Sequence, residues 1–508
     1  MSDSGSTISA ESSESSQGAM TSARVVKVAV VGTGLAGLAS AYYLATASNS
    51  RVQYKVHLFD ENSNIGFDSS SVTATDADGV SRRIDVPMRS FAGGYYQRII
   101  RLYKSLGLEF HDAKFTYSFS ELEEKSGDAK TYFLYGGRAG AFRRGGRPSL
   151  QDSLRWRWDL VAVAFWYIYF TIIAAFSTPK GGVSFENEVI SPPAAQLKKR
   201  FGSEEAQKKY GTLNTDDESS VEDGNREIES LQEFLRRWHI PAWFMDKFVV
   251  SLFSAMSTCD AETILNAPAA DVIDYKRKTF GKPHYLLSDN SRSAVAALIA
   301  PLPKENIHLG VAVKAMLSEG TTWTIRTVED DYHHFAHVIL ATAPSRIAEL
   351  HSPLMPVLRY VKANAVRVVV HTDDRVLDFL ESDDIRDLNL LKASTGTETT
   401  HVLFPGVYQT TSPAPLNGDC GEDYGGRIAK DKVVSESVFE RVVRTNGLVS
   451  AVDKMRKRQG RHNVWVTGSW MWDGLVLLEG CVASAEAVCD GIRRKSEDHR
   501  VPLPKGIV

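Results

Sequence analysis

Three glycines, Gly32, Gly34 and Gly37, stand in the spacing Gly-x-Gly-x-x-Gly. Ahead of them runs Val25-Val-Lys-Val-Ala-Val-Val31, apolar enough for a strand buried in a parallel sheet, and behind them Leu38-Ala-Ser-Ala41 continues as a helix. Strand, glycine turn and helix in that order make an anion cradle. Gly32 permits the tight turn, Gly34 lets a pyrophosphate approach the backbone, and Gly37 lets the helix lie close on the strand. Leu35 and Ala36 fall in the first helical turn, whose N–H groups have no partner within the helix. A second strand, Tyr54-Lys-Val-His-Leu-Phe59, ends at Asp60, and a carboxylate there can accept both ribose hydroxyls of an adenosine while repelling a 2′-phosphate. The chemistry this predicts is dinucleotide binding. The bland alternative is a packing turn without a ligand.

The elements that must hold this cradle are spread over 508 residues, a length that suits two or three interleaved domains. Hydrophobic residues make up 43% and charged residues 24%, as in ordinary globular proteins. The net charge of −3 gives no reason to expect nucleic acid as a partner. Cys259, Cys420, Cys481 and Cys489 show neither CxxC spacing nor a disulfide framework, so a reducing, cytoplasmic setting is expected, and no metal site. The first 23 residues are rich in Ser, Glu and Gly, and are expected to be a disordered tail without a secretory signal.

Tyr95–Leu106 carries apolar residues at helical spacing and ends at Gly107, a suitable C-cap. Thr116–Phe133 reads as a hairpin about Ser126-Gly127. The uncharged run Leu160–Phe176 fits three placements: a buried core helix, a helix dipping into one leaflet, and a span. A span would put segments that must meet at one ligand on opposite sides of a membrane. Residues 211–224 form an acidic loop, and Ser230-Leu-Gln-Glu233 has capping-box spacing ahead of a helix.

Further motifs carry a family resemblance. They are Ile65-Gly66-Phe67, Pro87-Met88-Arg89, Asp289-Asn290, Ile307–Val313, Ala341-Thr342, Val466-Thr-Gly468-Ser469 and Glu479-Gly480-Cys481. In these the chain resembles the FAD-dependent amine oxidases, desaturases and isomerases. It looks nearest to an amine-oxidase-like subgroup with Arg-x-Val-Leu-His-Thr-Asp where this chain has Arg367 to Asp373. The resemblance implies an α/β fold, with a Rossmann-like FAD-binding domain of the two-dinucleotide-domain type and a substrate domain of mixed sheet and helices. The FAD-binding parts would be residues 24–110, 286–345 and 456–495, and the substrate parts 111–285 and 346–455, followed by a tail at 496–508.

The same resemblance assigns roles. Gly32, Gly34, Leu35, Ala36, Gly37 and Asp60 would hold the adenosine diphosphate, Met88 and Arg89 would face the flavin, and Val313 would contact adenine through its backbone. Gly468, Ser469, Glu479 and Gly480 would close the site, with a helix N-terminus near the flavin N1–C2=O edge. Arg367 stands where amine oxidases place a lysine; an arginine stays protonated, so it suits a carboxylate or a reduced flavin, and His371 is a candidate base. Departures are the missing second glycine and arginine after Gly66, and Ser469 in place of an acid. Cys420 is considered for a covalent flavin link, but its polar surroundings read as an exposed loop. The implied activity is hydride removal from a hydrophobic amine, polyene or acyl chain to flavin N5, with O2 or another acceptor. Alternatives are a double-bond isomerase or desaturase of lipid-like substrates, and a non-catalytic flavin-binding protein. The run 160–176 is a candidate membrane contact.

Overall fold

The structure is a computed structural model, and it describes residues 23–49, 51–76, 78–123, 128–136, 150–181, 227–414 and 428–497. The acidic loop, the hairpin tip, Cys420 and both termini lie outside the described residues.

The glycine turn sits at the end of a central strand, Arg24–Val31, whose last four residues are buried. Five parallel strands lie in the order Ile307–Leu309, Val52–Asp60, Arg24–Val31, His337–Leu340 and Val464–Val466. They come from three separate stretches of chain, and full burial on both faces explains their near-continuous apolar sequence. Helix Leu35–Thr46 and the long C-terminal helix Leu478–Glu497 pack together on one side of this sheet, burying Leu38, Leu44, Val482, Val488 and Ile492.

A seven-stranded mixed sheet forms the second body. Its order is Val433–Val442, Ala363–His371, Val407–Ala414, Gly396–Phe404, Leu388–Ala393, Tyr117–Leu122 and Ala129–Tyr135. The predicted hairpin supplies its last two strands. Helices from Leu231 to Thr279 cover one end, beginning at the predicted capping box, where Ser230 and Glu233 cap each other's backbone. Helix Gln97–Ser105 ends as expected, with Gly107 at φ +71°.

The apolar run lies in helix Leu150–Phe176. Among the described residues it is the one helix long and apolar enough to cross a membrane. Its inner face packs Phe170, Ile173 and Ala174 onto Leu231, Phe234 and Ile240. Its outer face is bare: Trp158, Val161, Phe165, Ile168, Ile172 and Phe176 are all exposed. The core-helix expectation thus holds for one face only.

Between helix Ala269–Thr279 and the end of strand Val433–Val442, Arg444 donates to Asp271 at 2.6 Å, and both side chains are buried. Removing one partner strands the other charge in the interior, which costs about 3–5 kcal/mol. Arg444→Met is expected to lower the unfolding free energy by roughly that amount in urea titration, whereas Arg326→Met, which breaks a solvent-exposed pair with Asp331, is expected to leave the urea midpoint nearly unchanged.

Candidate active site

The phosphate turn is built by collisions that only glycine avoids. A Cβ on Gly37 would lie 2.0 Å from the Gly32 carbonyl oxygen, and one on Gly32, already at φ +104°, would lie 2.6 Å from the Ala341 oxygen. Gly34 differs: a Cβ there meets nothing within 4 Å. Packing does not demand glycine at that position, and the open space lies at the N-terminus of a twelve-residue helix with no side-chain cap. Those are the features of an anion site.

Thr33, which the sequence reading passed over, knots this turn to Asp60. Its N–H and hydroxyl both donate to Asp60 Oδ2, at 2.8 and 2.5 Å, and its Oγ1 accepts the Gly66 N–H at 2.7 Å. Asp60 Oδ1 takes the Asn62 N–H and side-chain amide, each at 2.9 Å. Four donors fill the carboxylate. Ribose hydroxyls would enter by displacing the exposed Asn62 amide, so Asp60 is first the fastening of the loop. Val313 is buried, and its carbonyl oxygen already accepts from Arg346 at 2.6 Å, which leaves its N–H as the free backbone group for a base.

The distant motifs meet here. Cys489 Sγ lies 3.4 Å from the Ser40 carbonyl oxygen and Tyr43 Oη 3.4 Å from Glu486 Oε1, which holds the phosphate helix beside the C-terminal helix. At their leading ends the Cys481 thiol sits among the Ala36 N–H, the Ser469 hydroxyl and the Arg89 guanidinium, and burial pushes its pKa up to about 12. Gly480 is obligatory, because a Cβ would fall 2.2 Å from the Ser469 carbonyl oxygen. Gly468 donates its N–H to Ser484 Oγ at 3.1 Å. Arg89 stacks on Phe67 at 4.3 Å and donates Nη2 to the Phe67 oxygen at 2.9 Å, while its buried Nε has no partner among the described residues. Asn290 is left-handed at φ +57°, as its place in a glycine-like turn predicts, whereas Asp289 is not.

Glu479 does not reach this site. Its buried carboxylate accepts the N–H groups of Arg98 and Ile99 at 2.9 and 3.2 Å, capping helix Gln97–Ser105. Burial raises its pKa from 4.5 to about 7, against the pull of those donors.

Alternation along the large sheet decides the remaining candidates. Val366, Val368 and Val370 face Ile84 and Val86, next to Pro87 and Arg89. Arg367 and His371 lie on the opposite face with Val369. Arg367 is paired with Glu436 at 2.7 Å. His371 is fully buried, shares a hydrogen bond with Thr410 Oγ1 at 2.9 Å and accepts the Asp373 N–H, and burial lowers its pKa to about 4. Both catalytic assignments are therefore corrected: these residues stitch the outer face of the sheet.

The inner face carries other residues. Strand register sets Gln409, His401, Leu388, Tyr117 and Tyr135 in one row beside Val370, and Arg441 on the same face beside Asn364, six residues back along that strand. Buried Thr399 Oγ1, His401 Nδ1 and Gln409 Oε1 on this face have no hydrogen-bond partner among the described residues. Met88 packs with Phe115, Tyr117 and Tyr135. Phe115 touches His284 and His401 rings at 5.9 and 6.0 Å. Burial raises the Tyr96, Tyr117 and Tyr275 phenols, and the Tyr275 phenol adds to the rise at Tyr96 and Tyr117. Tyr117, Tyr275, His284 and His401 are enclosed by protein yet keep accessible surface, which places them on the wall of an interior space.

Residues 30–106 match the NAD(P)-binding Rossmann-like domain. No curated protein matches the sequence. Solved structures share the fold over nearly the whole chain. A fatty acid isomerase from P. acnes that produces CLA is 14% identical, with TM-score 0.57, covering 92% of this chain and 98% of its own. Putrescine oxidase bound to putrescine is 14% identical, with TM-score 0.54 and coverages of 92% and 99%. Cyclohexylamine oxidase from Brevibacterium oxydans is 11% identical, with TM-score 0.52 and coverages of 93% and 99%. The architecture, a Rossmann-like parallel sheet beside a larger mixed sheet with helices, is the one these solved structures share, and the fold expectation stands.

Gly34→Ala is expected to fold with an unchanged melting temperature and to bind its dinucleotide roughly tenfold or more weakly, because its methyl enters the anion space alone; paired thermal melts and titration with FAD and NAD check this. For Glu479 the raised pKa means the fold keeps a proton that the unfolded chain releases between pH 4.5 and about 7. Its contribution to stability is therefore lost as pH rises across that window. Urea unfolding near pH 5 and pH 7 is expected to show a smaller loss in Glu479→Gln than in the parent.

Proposed function

We propose that the chain is an FAD-dependent oxidoreductase that removes hydride from a hydrophobic substrate. The observation that carries this reading is the meeting of two helix N-termini at Gly34, Ala36 and Cys481, next to an aromatic-walled interior space. A flavin held there supplies the hydride acceptor, and O2 or another acceptor takes the electron pair. The chain's own residues bind and orient. The turn at Gly32–Gly37 receives the phosphates, Arg89 offers its unpartnered Nε at the same place, and Met88, Phe115, Tyr117 and Tyr275 exclude water around the substrate. His401, with its pKa lowered to about 4 by burial, is neutral at pH 7, and its Nδ1, without a partner among the described residues, offers the substrate a hydrogen bond rather than a base.

Likeness to a fatty acid isomerase as well as to amine oxidases supports a second outcome, return of the hydride to another carbon of the same substrate. The absorbance spectrum of the purified protein and anaerobic mixing with amines, polyenes and fatty acids test the proposal. Bleaching of the flavin supports oxidation; a rearranged substrate without net bleaching supports isomerisation. A protein that binds FAD but acts on none of these is the non-catalytic alternative.

We further propose that the bare stripe of the apolar helix rests on a lipid leaflet from the cytoplasmic side. The stripe is bordered by a basic group, Lys276, 4.1 Å above the Tyr167 ring, and exposed Phe280 follows the same helix. Apolar area edged by basic groups suits an anionic surface. Flotation with phosphatidylserine-containing vesicles is expected to carry the protein, and Phe165→Glu with Ile168→Glu is expected to abolish this without changing the melting temperature. Equal flotation of the parent and the double variant would reject the contact.

A further inference from the structure

Arg441 ends the strand Val433–Val442 on the inner face of the large sheet. Nη1 donates to Thr258 Oγ1 at 2.8 Å, and Nη2 makes a long contact of 3.5 Å with the Val476 carbonyl oxygen. No carboxylate among the described residues lies within ion-pair reach of it. The groups that act on it electrically are the Tyr96 phenol and the Cys259 thiol, both neutral at pH 7. The contrast with Arg444, three residues on, is sharp: that guanidinium has the Asp271 carboxylate at 2.6 Å. Arg89 likewise has Asp85 and Asp68 in its surroundings. Arg441 is enclosed by protein and desolvated yet keeps some accessible surface, and it lies beside the buried Tyr96, which neighbours Tyr275 as Tyr117 does, so it borders the space those tyrosines surround.

An unpaired buried cation is costly unless an anion completes it, and a guanidinium fork with unused donors matches a planar carboxylate. The remainder of the wall, Phe115, Tyr117 and Tyr275, suits an apolar body. We infer that the substrate is an organic carboxylate whose carboxyl group is held by Arg441 while its apolar part lies against the aromatic wall. This deepens the oxidoreductase reading and rests on it for the word substrate; the anion site itself does not depend on it. Two sources share the chemistry, a long-chain fatty acid and an aromatic amino acid.

The test pairs each acid with a neutral analogue: linoleate with methyl linoleate, and phenylalanine with phenylalaninamide. Binding is followed by protein tryptophan fluorescence and, in the flavin-loaded protein, by the flavin absorbance envelope. At least one acid is expected to bind roughly tenfold or more tightly than its analogue. Arg441→Met is expected to erase that preference while leaving FAD content and melting temperature unchanged, and Arg441→Lys to keep part of it. If Arg441→Met does not fold, the acid-to-analogue ratio of the parent and of Arg441→Lys still decides. Equal binding of acid and analogue, binding of neither acid, or a preference that survives Arg441→Met overturns the assignment. A chain that binds no flavin but still prefers the acid by tryptophan fluorescence sinks the oxidoreductase reading and leaves the carboxylate site standing.

Discussion

The structure depends on close approach of backbone to backbone at the ends of two helices. A helix N-terminus attracts an anion only when its N–H groups are bare and reachable. Here both conditions are met by removing side chains. Gly32 and Gly37 bring the phosphate helix onto its strand, and Gly480 brings the C-terminal helix onto Ser469 at a separation that leaves no room for a methyl group. Gly34 alone has space above it. Three glycines are thus explained by packing and the fourth by a ligand. That asymmetry is stronger evidence for a bound phosphate than the spacing of the motif, because spacing is also produced by packing.

The second constraint is the pleat of the large sheet. Side chains alternate between faces, so one residue of phase moves a side chain from one face of the sheet to the other. The strand Ala363–His371 presents Val366, Val368 and Val370 inward and Arg367 and His371 outward. Polar chemistry on the inner face comes instead from neighbouring strands, at Arg441, Gln409, His401 and Tyr117. They are far apart in sequence and come to one face only through strand pairing.

This explains what could be read in advance. The strand, glycine turn and helix at the front were legible because their logic is local, as were the capping box at Ser230, the cap at Gly107 and the hairpin of the large sheet. The C-terminal small-residue helix was placed correctly through its motif. Arg367 and His371 were misassigned because a resemblance names residues without fixing the face they occupy. Glu479 was misassigned for a related reason: a buried acid beside a conspicuous motif was given to the ligand, while the nearest orphan donors belong to helix Gln97–Ser105. Thr33 was missed although it lies inside the glycine turn, since the motif treats that position as free. Only the four donors on Asp60 reveal its task.

The Glu479 cap has a consequence for the geometry of the whole site. Helix Gln97–Ser105 begins next to Tyr96, whose phenol lies beside Arg441 and Tyr275. The cap locks that helix to the C-terminal helix, whose first turn faces the phosphate turn. The segment leading into that first turn is fastened as well. Tyr95 Oη accepts the Leu475 N–H at 3.0 Å, Arg444 reaches the Trp472 oxygen at 3.4 Å, and Arg456 pairs with Asp473 at 2.9 Å. The same ties therefore position the cofactor cradle and the tyrosine end of the substrate wall. A hydride can pass only between atoms held near contact in a fixed orientation. With cradle and wall fastened through one helix cap and one stapled loop, a substrate held as proposed against Tyr96 and Arg441 would be positioned by the same scaffold that holds the dinucleotide turn.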